Sequence, residues 1–443
     1  MTIEITTWES LDEPARRTLL ERPALDSDRE VRDRVRAIIR EVRSEGDRAL
    51  RRLTEELDGA AIEDFAVGEQ EFADAEGALS AAELDAIDLA IRNVRRFHEA
   101  QLPVPLTVET MPGVVCERIN HPIDAVGLYV PAGTAPLPST AIMLCVPAAI
   151  AECPVRVLCT PPTSDGRADP AVLAAARRSG VERIFKAGGA QAIAAMAYGT
   201  ESLPKVDRIF GPGNAWVTAA KTIVAADPSG AAIDLPAGPS EVLVIADADA
   251  DPTFVAADLL SQAEHDTDSQ VVLITTDDAL ASDVIAEIDA QLGRLGRRDI
   301  AMQAIRNSRF IVAASLATAL EISNRYAPEH LILQIDEPRR VLGDVRNAGS
   351  VFLGPWSPES AGDYCSGTNH VLPTYGHARG CSGLGVDHFM RQMTVQELSR
   401  DGLQGIADAV VRLASLEGLD AHAAAVRYRL NGPDGSNRGG DGR

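Results

Sequence analysis

Two apolar runs, Glu241-Val242-Leu243-Val244-Ile245-Ala246 and Gln270-Val271-Val272-Leu273-Ile274-Thr275, flank a single helical pattern. A strand apolar on both faces is stable only inside a sheet that is covered on both sides. Strand, helix and strand in that order imply a parallel pair joined by a crossover. The intervening helix carries its own start signals. Asp251 suits the N-cap and Pro252 the first helical position, and Phe254, Val255 and Leu259 recur at helical spacing. The same alternation occurs earlier. Short apolar runs at 125–130, 155–159, 183–186 and 208–210 read as strands, with helical patterns at 170–179 and 191–199. Two parallel-sheet α/β units are expected. Around them the spacing predicts helix over 27–60, with Val31, Val35, Ile38, Ile39 and Val42 on one stripe, and over 80–100, 279–295, 315–325 and 394–427. The tail after Leu430 has a disorder-prone composition.

With 443 residues the chain has room for two to four structural units. A hydrophobic share of 45% beside 24% charged residues is that of a folded soluble protein. The net charge of −23 argues against a nucleic-acid partner, since phosphate binding needs a basic face. None of the six cysteines forms a C-x-x-C pair, so free thiols in a reducing compartment are expected. Residues 1–17 lack a signal pattern, and the longest apolar stretch, 141–151, is too short to span a bilayer and contains Pro147. The expectation is a cytoplasmic protein with no membrane partner.

Several short segments can carry chemistry. In Ser261-Gln262-Ala263-Glu264-His265, Gln262 and His265 are three apart and share a helix face, where a carboxamide oxygen and an imidazole can hold one metal ion. The alternative is a solvated helix end. The run faces a connecting loop, and ligands of open α/β sheets gather at such loops. Gly188-Gly189-Ala190-Gln191 and Phe210-Gly211-Pro212-Gly213-Asn214 each follow a strand; glycines there permit a nucleotide to approach closely, or simply make tight turns. Ala327-Pro328-Glu329-His330 sets a carboxylate beside an imidazole, suited to proton transfer or to a surface turn. In the loop 357–364 Asp363 is a possible hard oxygen ligand, and His370 reads as a supporting histidine. Glu417 and His422 lie in a helical stretch interrupted by Gly418.

Taken together, Gly127-Leu128-Tyr129-Val130-Pro131, Gly188-Gly189-Ala190-Gln191, Phe210-Gly211-Pro212-Gly213-Asn214, Gly238-Pro239-Ser240-Glu241, Ser261 to His265, Pro328-Glu329-His330, Gly362-Asp363-Tyr364 and Glu417 with His422 resemble the histidinol dehydrogenases in order and spacing, over about residues 27–430. The resemblance implies two incomplete Rossmann-like domains with small N- and C-terminal helical segments in an intertwined homodimer. The expected division is 1–26 as an N-terminal helical segment, 27–128 with 241–384 for metal and catalysis, 129–240 for NAD, 385–430 as a helical segment reaching the partner, and 431–443 as a disordered tail. It implies NAD-dependent oxidation of L-histidinol to L-histidine through the aldehyde, the last two steps of histidine biosynthesis. Gln262, His265, Asp363 and His422 would bind one zinc ion per subunit, and Glu329 and His330 would serve as acid and base. Ser240, Gln262, His265, His330, Asp363, Glu417 and His422 would contact substrate, and Tyr129, Gln191 and Asn214 would line the NAD site.

Small departures stand at Ala132, where the family commonly has glycine, and at Asp266-Thr267, where it commonly has Gly-Pro. Cys365 beside Asp363 raises a thiohemiacetal route, but a carboxylate neighbour disfavours a thiolate. A related dehydrogenase of a sulfonated propanediol is the alternative; Glu417 would repel that anion. A metal-dependent hydrolase would need no glycine-rich nucleotide segments, and an inert binding protein would need no base.

Overall fold

In the strand Glu241–Ala246, Val242 and Val244 pack into the core on one side of the sheet while Leu243 and Ile245 pack into the core on the other. Val271 and Leu273 of Gln270–Thr275 follow the first pair, and Val272 and Ile274 the second. Alternate side chains point to opposite faces, so a run apolar at every position is buried on both. The computed structural model describes residues 3–22, 28–132, 136–235 and 238–431. It forms two compact units, one of 1–101 with 123–389 and one of 102–122 with 390 onward.

The first unit holds two parallel sheets. The six-stranded sheet runs Ile5–Thr7, Arg309–Val312, Gln270–Thr275, Glu241–Ala246, His330–Gln334, Ser350–Leu353. The five-stranded sheet runs Arg183–Lys186, Val155–Thr160, Ala125–Tyr129, Arg208–Phe210, Ala232–Ile233. Apart from the added Ile5–Thr7, both sheets have the order 3-2-1-4-5 in chain sequence, the doubly wound order short of its sixth strand. The expected N-terminal helical segment therefore also supplies an edge strand.

The helical pattern at 27–60 is two helices, Asp28–Glu45 and Asp47–Asp58. Gly46 between them has φ of 56°, and the Glu201 carboxylate closes the break by accepting from Asp47 N at 2.7 Å. Both helices share a core with the five-stranded sheet. The strand Ala125–Tyr129 crosses the 128/129 boundary expected from sequence.

The second unit corrects the expectation of helix over 394–427 and of a wholly helical 385–430. Met390–Leu398 is a strand, antiparallel to Val114–Pro122, which pairs in turn with Leu106–Met111. Its apolar residues follow neither helical nor strand period cleanly, and pairing with a segment distant in sequence decides the outcome. Helices Arg400–Leu416 and Asp420–Asn431 follow. Asn431 is thus helical, and the rest of the expected tail, 432–443, lies outside the described residues.

Candidate active site

Glu241 and His330 are the first residues of neighbouring parallel strands, with His330 in register with Val242. The Glu241 N–H donates to Glu329 Oε2 at 2.8 Å, and its carbonyl lies 3.1 Å from His330 Nδ1. A carbonyl can only accept, so Nδ1 carries the ring proton and Nε2 is left as the basic nitrogen. Nε2 is buried, lies 3.8 Å from Asp363 Oδ1 and has no hydrogen-bond partner among the described residues. Glu329 and His330 are themselves buried, which removes the surface-turn alternative for Ala327 to His330.

The electrostatics follow from that burial. Loss of water pushes the Glu329 carboxyl well above its usual range, and the carboxylates of Glu241 and Asp363 push the same way. Burial lowers the His330 imidazole to about 4, opposed in part by Asp363, so the ring is neutral at pH 7.

Asp363 sits in the short helix Glu359–Tyr364, not in a loop as expected. The helix also delivers Glu359, which sequence reasoning passed over. Its Oε1 is 3.5 Å from His330 Nδ1, and its buried Oε2 has no partner among the described residues. Burial and the neighbouring Asp363, Glu329 and Asp258 raise its carboxyl well above the usual range. Ligand atoms of His330, Glu359 and Asp363 all lie within 4.8 Å of one another. Glu359 directly follows the Pro358 N-cap, one turn before Asp363, a spacing that places both on one helix face.

Gln262 occupies the last turn of helix Pro252–Ala263, and His265 lies two residues past its end, its N–H donating to Gln262 O at 3.2 Å. One turn back, Asp258 accepts from Gln334 Nε2 at 3.0 Å, and burial raises its carboxyl to about 6. Gln262 Oε1 is buried without a partner among the described residues; His265 is exposed, yet close enough to depress the imidazoles of His330 and His370. His370 Nε2 is likewise buried and unpartnered among the described residues. Its neighbour Asn369 donates to Met143 O at 2.8 Å, which ties this loop to helix Pro138–Ile150 above the five-stranded sheet. Ser240 directly precedes the strand Glu241–Ala246. Gln262, Ser240, Glu329 and His330 thus all sit at the amino edge of the six-stranded sheet. Ligands of open α/β sheets ordinarily gather at the carboxyl edge; here the helix returns antiparallel to its strands, so its C-terminal end meets the opposite edge.

Tyr129, Gln191 and Asn214 lie at the carboxyl edge of the five-stranded sheet. Tyr129 ends the central strand beside the point where strand order reverses, and its hydroxyl accepts from Gly189 N at 2.9 Å. Gln191 is in the first turn of helix Gly189–Tyr198, and its Nε2 donates to Asp58 Oδ2 at 3.0 Å. Asn214 caps helix Ala215–Ala225, accepting from Trp216 N at 3.1 Å and Val217 N at 3.2 Å. Asp58, at the end of helix Asp47–Asp58, has no local sequence signal; burial raises its carboxyl to about 6.

Glu417 and His422 belong to the second unit, at the C-cap of Arg400–Leu416 and in the first turn of Asp420–Asn431, and both are exposed.

Residues 20–430 match the histidinol dehydrogenase protein family. A histidinol dehydrogenase of Xanthomonas axonopodis pv. citri is 56% identical over 428 residues, covering 97% of this chain and 99% of the relative. One from Vibrio vulnificus is 54% identical over 423 residues, covering 96% and 97%. The crystal structure of histidinol dehydrogenase from Elizabethkingia anophelis superposes with a TM-score of 0.93 at 45% identity, covering 97% of this chain and 98% of that one. A buried carboxylate–imidazole pair beside two Rossmann-like sheets is thus the setting of an oxidoreductase, and the chain belongs to the histidinol dehydrogenase family.

Proposed function

We propose that the protein oxidises L-histidinol to L-histidine through the aldehyde, with NAD as oxidant and one zinc ion per subunit. The observation that carries the proposal is His330 Nε2: a buried, unprotonated base with no partner among the described residues, its ring held by a backbone carbonyl. Unsatisfied buried polar atoms are costly unless a ligand completes them. Gln262 Oε1 is another such atom among the described residues, and with His265 and Asp363 it would form a nitrogen and oxygen donor set that suits a zinc site with open positions. His422 is the fourth proposed ligand, supplied by the second unit of the partner in a homodimer. Exposed Leu413, Leu416, Leu419 and Tyr428 on that unit support burial against another copy. Ser240 and Glu417 complete the substrate contacts, and Tyr129, Gln191 and Asn214 line the NAD site. A cytoplasmic location belongs to the same proposal and rests on the biosynthetic role of the family.

Gln262, His265, Asp363 and His422 would hold zinc, which when bound would supply a Lewis acid that orients the substrate, and NAD would supply the hydride acceptor. His330 Nε2 takes the proton of the alcohol, which must leave as the carbon is oxidised. Glu329 acts on the water that hydrates the aldehyde. Burial favours its protonated form in the free chain, and a cationic substrate would favour the carboxylate that can accept a proton. Glu359 Oε1 lies 3.5 Å from His330 Nδ1, on the side of the ring away from the base.

Chelation provides the test. Dialysis against a chelator is expected to abolish NADH formation from L-histidinol, and stoichiometric zinc to restore it. Full activity in protein shown to be free of metal would overturn the zinc assignment.

A further inference from the structure

Glu241 holds the reacting pair through its backbone: its N–H donates to Glu329 and its carbonyl accepts from His330. The buried side chain of the same residue is fastened from behind. Arg22 grips it with two parallel hydrogen bonds, Nε to Oε1 and Nη2 to Oε2, the latter at 2.8 Å. Tyr375 N adds a third, to Oε1 at 3.0 Å. The same guanidinium donates to the carbonyls of Tyr326 at 3.0 Å and Ala327 at 3.3 Å, and its carbon lies 4.0 Å from the Tyr326 ring centroid. Ala327 has φ of 56°, a left-handed conformation that a β-carbon resists and the surroundings must impose. One guanidinium therefore fastens both backbone segments that carry the pair, the start of strand Glu241–Ala246 and the turn leading into Glu329 and His330.

We infer that Arg22 is a positioning residue for the reaction, acting through Glu241 and the 326–327 turn on Glu329 and His330. The inference rests on the proposed roles of those two residues. The planar fork matters, because a bidentate grip fixes direction as well as distance, and a lysine supplies only a point charge. Among the described residues no hydrogen bond joins Arg22 to Glu329 or His330, so it acts on them through the backbone it holds and through the Glu241 charge it offsets.

A double-mutant cycle on the full-length, zinc-loaded dehydrogenase tests this, with kcat and KM measured for L-histidinol and NAD. Arg22→Ala is expected to lower kcat roughly 10–100-fold, the scale of a small misplacement of reacting groups, with zinc content and the KM for NAD retained. Arg22→Lys should recover part of the loss. In a Glu329→Gln background the same Arg22→Ala change should cost less than about 3-fold, because residues acting as one network are not additive. Should Arg22→Ala fail to fold, Arg22→Lys and Arg22→Gln carry the same cycle. Equal losses in both backgrounds, or an unchanged kcat in a folded Arg22 variant, would overturn the inference. Wild-type kcat in Glu329→Gln and His330→Asn alone would instead sink the assignment beneath it, and the Arg22 role with it.

Discussion

His330 has one nitrogen committed and one free, and that asymmetry is set by a neighbouring backbone rather than by a side chain. Replacing it with asparagine keeps a polar group of similar reach but removes the base. His330→Asn is expected to lower kcat by about 10²–10⁴-fold, the range of positioned general bases, with metal content retained. Steady-state kinetics with metal analysis check this, and a loss of metal equal to the loss of rate would point to a ligand role instead. Asp58 gives a residue-scale pH prediction. Its folded pKa is raised to about 6 from 3.8, so the fold favours the protonated form. The associated stability is present below about pH 4 and is lost as pH rises through 6. The shift corresponds to about 3 kcal/mol before screening by solvent, and about 1–2 kcal/mol is expected for a partly buried group. Urea unfolding should therefore show Asp58→Asn gaining that much on the wild type between pH 4 and pH 7; a difference independent of pH would contradict it. Neither Asp58 nor Glu359 was legible as a site residue, since each acquires its role from burial beside groups distant in sequence. Glu329 and His330 were legible as a pair, but their burial and the carbonyl that selects the tautomer were not.

At the level of elements, the alternation of apolar runs and helical patterns was enough to anticipate both parallel sheets, because a strand buried on two faces leaves few alternatives. Strand Met390–Leu398 was missed for the complementary reason: it is exposed over most of its length and owes its form to pairing with Val114–Pro122. The glycine segment at 210–214 is shaped by a buried ion pair. Lys221 Nζ reaches Gly211 O at 2.7 Å and Asp234 Oδ1 at 2.5 Å, while Asp234 Oδ2 accepts from Gly211 N at 2.7 Å. Gly211 itself has φ of 120°, and a β-carbon there would collide with the Tyr129 carbonyl. Both charges are nearly inaccessible. Lys221→Ala leaves Asp234 buried and unpaired, which is expected to destabilise the protein by about 3–5 kcal/mol. Lys221→Met with Asp234→Asn should cost distinctly less. Chemical denaturation of the three variants decides between this and a loss that simply adds.

For the whole molecule, the proposed site draws Gln262, His265 and Asp363 from the first unit and His422 from the second unit of another copy. A mixture of inactive His330→Asn and His422→Asn protomers is then expected to recover activity, because one composite site in each heterodimer carries wild-type residues throughout. Absence of recovery in confirmed heterodimers would count against sharing. One site is proposed to perform both oxidations. An alcohol converted to a carboxylate gives up four electrons, and NAD accepts two. The direct test is the amount of NADH formed when a limiting, known quantity of L-histidinol is consumed to completion. Two NADH per L-histidinol, with L-histidine as the product, is the expected result; one NADH per L-histidinol, with aldehyde accumulating, would contradict the account.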